Sequence, residues 1–102
     1  MKNKNNTMSP GLVVELLDKK SLTMKEAEVL KLICRGFTRP EMAAITFRCV
    51  GTVSRHVEKI AIKLDAHSAA EIVAKAIAMG IVSISLKITI LPVLVMAGNY
   101  GL

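Results

Sequence analysis

Residues 50–64 read Val50-Gly51-Thr52-Val53-Ser54-Arg55-His56-Val57-Glu58-Lys59-Ile60-Ala61-Ile62-Lys63-Leu64, and this stretch decides the fold. Val53, Val57, Ile60 and Leu64 recur at intervals of four, three and four, which lays a single apolar stripe along an α-helix. Ser54, Arg55, Glu58, Lys59 and Lys63 take the opposite, polar side. A helix with that division must bury one face against other helices, and the neighbouring sequence supplies them.

Three segments around it open with Ser/Thr-x-x-Glu, the pattern in which a hydroxyl and a carboxylate each satisfy a backbone N–H at a helix start. Thr23-Met24-Lys25-Glu26 begins a helix with Ala27, Leu30, Ile33 and Cys34 on one face, closed by Gly36 as a left-handed terminator. Thr38-Arg39-Pro40-Glu41 begins a short helix ending near Phe47, with Pro40 in the first turn where its missing N–H is tolerated. Ser68-Ala69-Ala70-Glu71 begins a third, over 68–79, carrying Ile72, Val73, Ala76 and Ile77 and stopped by Gly80. A short helix, a tight turn and a longer helix with a basic outer face form a helix-turn-helix pattern.

The flanks differ from this charged middle. Met1 to Met8 form a polar arm, after which Ser9-Pro10 reads as a helix start. Leu12, Val13, Leu16 and Leu17 then predict a short additional N-terminal helix ending near Lys19-Lys20. Beyond Val82 the pattern changes period: Val82-Ser83-Ile84-Ser85-Leu86-Lys87-Ile88-Thr89-Ile90 alternates apolar and polar residues as a half-buried strand does, although a helix over 82–91 stays open. A lone strand exposes unpaired backbone groups. It must pair with a symmetry mate, cover the helices or meet another protein. The organisation expected is an arm and short helix over 1–21, a domain over 22–82 and an apolar tail over 83–102.

Composition narrows the partners. The 102 residues include 14 Lys+Arg against 8 Asp+Glu, a net charge of +6 that suits a polyanion. With 3% aromatic residues there is little to stack on single-stranded bases. Two cysteines fit reduced thiols in the cytoplasm and not a disulfide scaffold. No cleavable leader is expected, and Lys87 and Pro92 count against a membrane span over 81–97. No nucleophile with its base, no phosphate-binding glycine loop and no metal-ligand spacing around His56 or His67 is visible, so neither an enzyme nor a cofactor or metal is expected. His56 reads as packing between helices, and Cys34 as core.

Leu22-Thr23, Glu26, Glu28-Val29-Leu30, Gly36, Glu41-Met42-Ala43, Thr52-Val53, His56-Val57, Ile60, Lys63-Leu64, Ser68 and Ala76 stand where LuxR/GerE-type DNA-binding domains have such residues. The chain resembles that family over about 22–82, with the spacing kept. The resemblance implies an all-α, four-helix domain of a bacterial transcription regulator. To it the sequence adds an extra N-terminal helix and an apolar C-terminal extension with a possible β-strand.

The resemblance also implies that helix 50–64 enters the major groove of double-stranded DNA, which at roughly 12 Å admits one α-helix. It makes helix 68–79 the dimerisation surface, through Ile72, Val73, Ala76 and Ile77. Arg55 is then the candidate base reader, since a guanidinium pairs bidentately with guanine. Lys59 and Lys63 are candidate phosphate contacts. Thr52 and Ser54 are candidates for phosphate or base, or for the helix start itself, and Arg39 is a candidate backbone contact beside a helix N-terminus.

Several positions depart from the family pattern. Lys25 replaces an arginine, Ser54 a frequent lysine, and Cys49 a capping serine at a cost of about 1 kcal/mol. Glu58 faces outward, where it repels phosphate. A homodimeric DNA-binding transcription regulator is the leading expectation. The alternative is a protein-interaction module that binds or sequesters another regulator through helix 68–79 and the tail. RNA polymerase is a further candidate partner.

Overall fold

The computed structural model describes residues 11–87. Their order is β1 (Gly11–Leu16), α1 (Met24–Cys34), α2 (Arg39–Thr46), α3 (Val50–Leu64), α4 (Ala69–Ala78) and β2 (Val82–Lys87). The described residues fall in two units: Val14–Ile84, which holds all four helices, and a second to which Gly11–Val13 and Ser85–Lys87 belong.

The helix starts follow their chemistry. At α1 the Thr23 hydroxyl accepts from Glu26 N at 3.1 Å while Glu26 Oε1 accepts from Thr23 N at 3.0 Å, a complete capping box. Thr38 and Glu41 repeat it at α2, at 3.3 and 2.8 Å. At α4 only half of the expected exchange forms. Ser68 Oγ accepts from Glu71 N, but the Glu71 carboxylate reaches one residue further back, to His67 N at 2.9 Å. Gly36 stands just past α1 at φ +88°, a conformation that costs a glycine little.

The apolar stripe of α3 is buried as its spacing requires: Val53 and Ile60 are fully enclosed, with Val57 and Leu64 nearly so. Around them pack Leu22, Val29 and Leu30 from α1 and its lead-in, Met42 from α2, Ile72 and Ala76 from α4, and Ile81 and Val82. Helix α3 contacts α1, α2 and α4, so it is held from three sides. Truncating its central Ile60 to Ala would cost about 2–5 kcal/mol by combining lost burial with a cavity.

The extra N-terminal helix is the expectation the structure overturns. Residues 11–16 form β1, paired antiparallel with β2 in a two-stranded sheet. Leu17 N and Asp18 N continue the connection by donating to Ile81 O at 2.7 and 3.3 Å. The apolar pairs Leu12-Val13 and Leu16-Leu17 fit a helical stripe on paper, but they equally place Leu12, Val14 and Leu16 on one face of a strand. Only Val14 is buried in the observed pattern, with Leu16 half-buried. What decides between the two readings is a partner far away in sequence: the strand expected from Val82 is present over Val82–Lys87 and needed an edge to pair with. Residues 88–102 and the arm over 1–10 lie outside the described residues.

Candidate nucleic-acid interface

Helix α3 begins at a turn rather than at a cap. Thr46 ends α2 and Phe47 follows in the left-handed region at φ 58°, so the chain reverses in Phe47-Arg48-Cys49 before Val50. Arg48 N donates to Ala43 O at 3.0 Å, which satisfies a carbonyl at the end of α2. The bulky left-handed Phe47 is 94% exposed. Arg48 turns back to α1 and pairs with Glu28 at 3.3 Å. Cys49 occupies the N-cap without a side-chain bond to the helix backbone, as its chemistry predicts. Its sulfur lies 3.2 Å from Thr52 Oγ1, a contact that lowers its thiol pKa below the ordinary range.

Six residues were expected to meet DNA, and the structure sorts them into four groups. Arg55 and Lys59 project from the exposed side of α3. Arg39 and Ser54 are brought together, Arg39 Nη1 donating to Ser54 Oγ at 3.0 Å, so the first turn of α2 is tied to the N-terminal half of α3. Thr52 is half-buried against Cys49 and serves the helix start. Lys63 is exposed along its length but its ammonium is engaged. Its Nζ donates to Glu26 Oε1 at 2.7 Å and to Ser21 O at 3.1 Å. Glu26 is 3% exposed, and a buried carboxylate needs that cation. Burial pushes the Glu26 carboxyl up, but its bonds from Lys63 and Thr23 N and the charges of Lys63 and Lys59 outweigh this and hold it below the usual range. Lys63 is therefore a partner of the buried Glu26, and its ammonium is not free as the sequence suggested.

Two residues that sequence reasoning passed over complete the outer face. Gly51 has open space where a Cβ would stand, and Ile62 is 77% exposed. At 100° per residue Gly51, Arg55, Glu58 and Ile62 share an arc opposite Val53, Val57, Ile60 and Leu64. That angular count was the signal available for finding them.

His56 lies beside this face, half-buried, with its Nδ1 enclosed and without a hydrogen-bond partner among the described residues. Burial, and then the positive charge of Arg48, hold its pKa below the ordinary 6.5. Cys34 is buried, which pushes its thiol up to about 11.

The expected dimerisation set divides as well. Ile72 and Ala76 are 1% and 0% exposed inside the domain, so they cannot touch a second copy. They lie on the side of α4 that packs into the core cluster. Val73 is half-buried and Ile77 is 47% exposed. With the exposed Ala70, Ala74 and Ala78 they form an outer strip of α4 that carries no charge. Among the described residues no helix is long and apolar enough to cross a membrane, and no group of three His, Cys, Asp or Glu side chains could hold a metal ion.

Comparison with known proteins places this geometry. An Escherichia coli (strain K12) protein named as the uncharacterized response regulatory protein YgeK is 40% identical over 63 residues, which is 62% of this chain and 43% of that relative. The chain thus spans less than half the length of the relative it matches. Residues 20–76, from the lead-in of α1 into α4, match the GerE family, described as bacterial regulatory proteins of the luxR family. The match takes in both complete capping boxes, the turn at Phe47 and all of α3, and the chain belongs to the luxR family of bacterial regulatory proteins.

Proposed function

We propose that the protein is a sequence-specific, double-stranded DNA-binding transcription regulator that inserts α3 into the major groove and works as a homodimer through the outer strip of α4. One observation carries the reading. The exposed face of α3 holds Arg55 free of any hydrogen bond or ion pair among the described residues, with Lys59 beside it, whereas Lys63 and Arg48 are engaged by Glu26 and Glu28. A free guanidinium on a helix that fits the groove is suited to guanine, and a free ammonium to phosphate. The pair formed by Arg39 and Ser54 sets a further donor group beside them. Membership of a family of regulatory proteins is consistent with that use.

Ile77 and Val73, flanked by three alanines, form a smooth apolar strip with no charge to desolvate, which suits a second copy of the same helix. The same strip would serve the alternative, in which α4 holds another regulator.

Selection of duplex fragments from a random library at about 150 mM salt tests the reading, because weak nonspecific attraction is screened there. Enrichment of one roughly palindromic motif is expected. Arg55→Ala should weaken binding to it by roughly 10-fold or more. Lys59→Ala should lower affinity evenly across sequences and reduce the salt slope by about 1. A wild-type protein that binds no duplex, yet captures a regulator through α4, would establish the alternative.

A further inference from the structure

Glu58 is the residue of the α3 face that a phosphate-binding role does not explain. It is exposed and in no hydrogen bond or ion pair among the described residues, although Arg55 stands three residues before it on the same face. Such an i, i+3 pair of opposite charges commonly closes on a helix surface. Arg39, which lines the same surface groove as Glu58, donates to Ser54 instead. A carboxylate left free on a face that meets a polyanion is repelled by every phosphate, so it lowers affinity unless it finds a donor in the groove.

We infer that Glu58 is a specificity-determining residue that selects cytosine in the base pair next to the guanine met by Arg55. The assignment rests on the DNA-binding reading of α3. An ionised carboxylate only accepts hydrogen bonds, and in the major groove guanine N7 and O6 and thymine O4 are acceptors that reject it. Donors are offered by cytosine N4 and adenine N6 alone. Adenine sets its N7 acceptor beside N6, against the second carboxylate oxygen, and cytosine does not. The spacing suits adjacent pairs: three residues of helix rise about 4.5 Å, close to the roughly 3.4 Å between successive bases. Gly51, two turns before Glu58 on the same arc, has no side chain and open space at its Cβ position. It lets the start of α3 approach the base edges closely.

The test is library selection with the wild-type chain, Glu58→Gln and Glu58→Ala, each checked by thermal melting. Melting should be unchanged, since the Glu58 carboxylate makes no hydrogen bond or ion pair among the described residues; a large loss would mark a structural role and overturn the assignment. The wild-type motif should carry a C·G pair adjacent to the guanine whose preference Arg55→Ala abolishes. In Glu58→Gln the preference for cytosine at that pair should fall by roughly 10-fold or more and move toward adenine, whose N6 and N7 a glutamine amide matches. Glu58→Ala should lose the cytosine preference without gaining adenine. An unchanged motif in both variants, with affinity raised evenly, would overturn the role of Glu58 while leaving the DNA-binding reading intact. Absence of any duplex binding by the wild-type chain would overturn both.

Discussion

The two ends of α3 are built differently. At its C-terminal end Lys63 is clamped on a buried carboxylate, Leu64 is enclosed and Asp65 closes the helix in the left-handed region. At its N-terminal end Cys49 caps nothing, Val50 is 43% exposed and Gly51 weakens the first turn. By contrast, α1 and α2 both start with two reciprocal hydrogen bonds. The domain thus fixes α3 by its rear and middle, and leaves the leading turn, where the proposed base-reading residues begin, least constrained by local bonds. On the proposed reading, stability and recognition are divided along one helix.

The strongest way to break this contrast is to loosen the clamp. Lys63→Met strands the Glu26 carboxylate in the core with Thr23 N as its remaining partner, and should destabilise the domain by about 3 kcal/mol, lowering Tm by roughly 10–20 °C. Adding Glu26→Gln should recover much of that loss, because the amide oxygen still accepts from Thr23 N without a buried charge. Chemical denaturation of the single and double variants gives the comparison. Were Lys63→Met neutral, the clamp would be an ordinary surface pair and the two ends would not differ.

Acid titration sharpens the contrast by separating the middle of α3 from its rear. The native pKa of His56 is lowered, so below its ordinary 6.5 the unfolded chain takes up a proton first. Stability from the neutral imidazole is full above that value and falls as pH drops toward the lowered native one. The Glu26 pKa is also lowered, so its contribution is full above the ordinary 4.5 and is lost as pH falls through the native value. Melting temperatures measured from pH 7 to pH 3 should decline in two windows. His56→Gln should remove the first and Glu26→Gln the second.

The smallest effect is at the leading end. Cys49→Ser supplies the oxygen that a helix start favours and should stabilise the domain by about 1 kcal/mol. If DNA reading draws on a loose first turn, the variant should bind its motif with altered affinity while melting higher. Equal affinity in the two forms would show that the missing cap has no role in recognition.

How far these features could be read from sequence depends on whether their cause is local. The bounds of α3, its buried stripe and two capping boxes follow from residues within four positions of one another, and all were legible. The uncapped Cys49 was legible for the same reason. The strand at Gly11–Leu16 was not, because Leu12, Val13, Leu16 and Leu17 satisfy both periods and the choice was made by Val82–Lys87 at the other end of the helices. Lys63 looked like Lys59 because a lysine four residues further along the helix carries no mark of the buried glutamate that claims it. Ile72 and Ala76 shared an apolar helix with Ile77, and composition could not say which side of α4 closes on the core. At the candidate site, residue types were readable while commitments were not: Arg39 to Ser54, Lys63 to Glu26 and Arg48 to Glu28 are all made across the fold.

The pairing of β1 with β2 also carries a kinetic consequence. Contacts among the helices are made within the span from α1 to α4, whereas Leu17 and Ile81 come from either side of the whole helical segment. Bringing such distant residues together costs loop-closure entropy until the helices between them have condensed. The strand pair should therefore form last and open first. In native-state hydrogen exchange the Leu17 amide should lose protection at lower denaturant than the amides of Val53 and Ile60, making the seam where the helical segment begins and ends the part of the domain most readily undone.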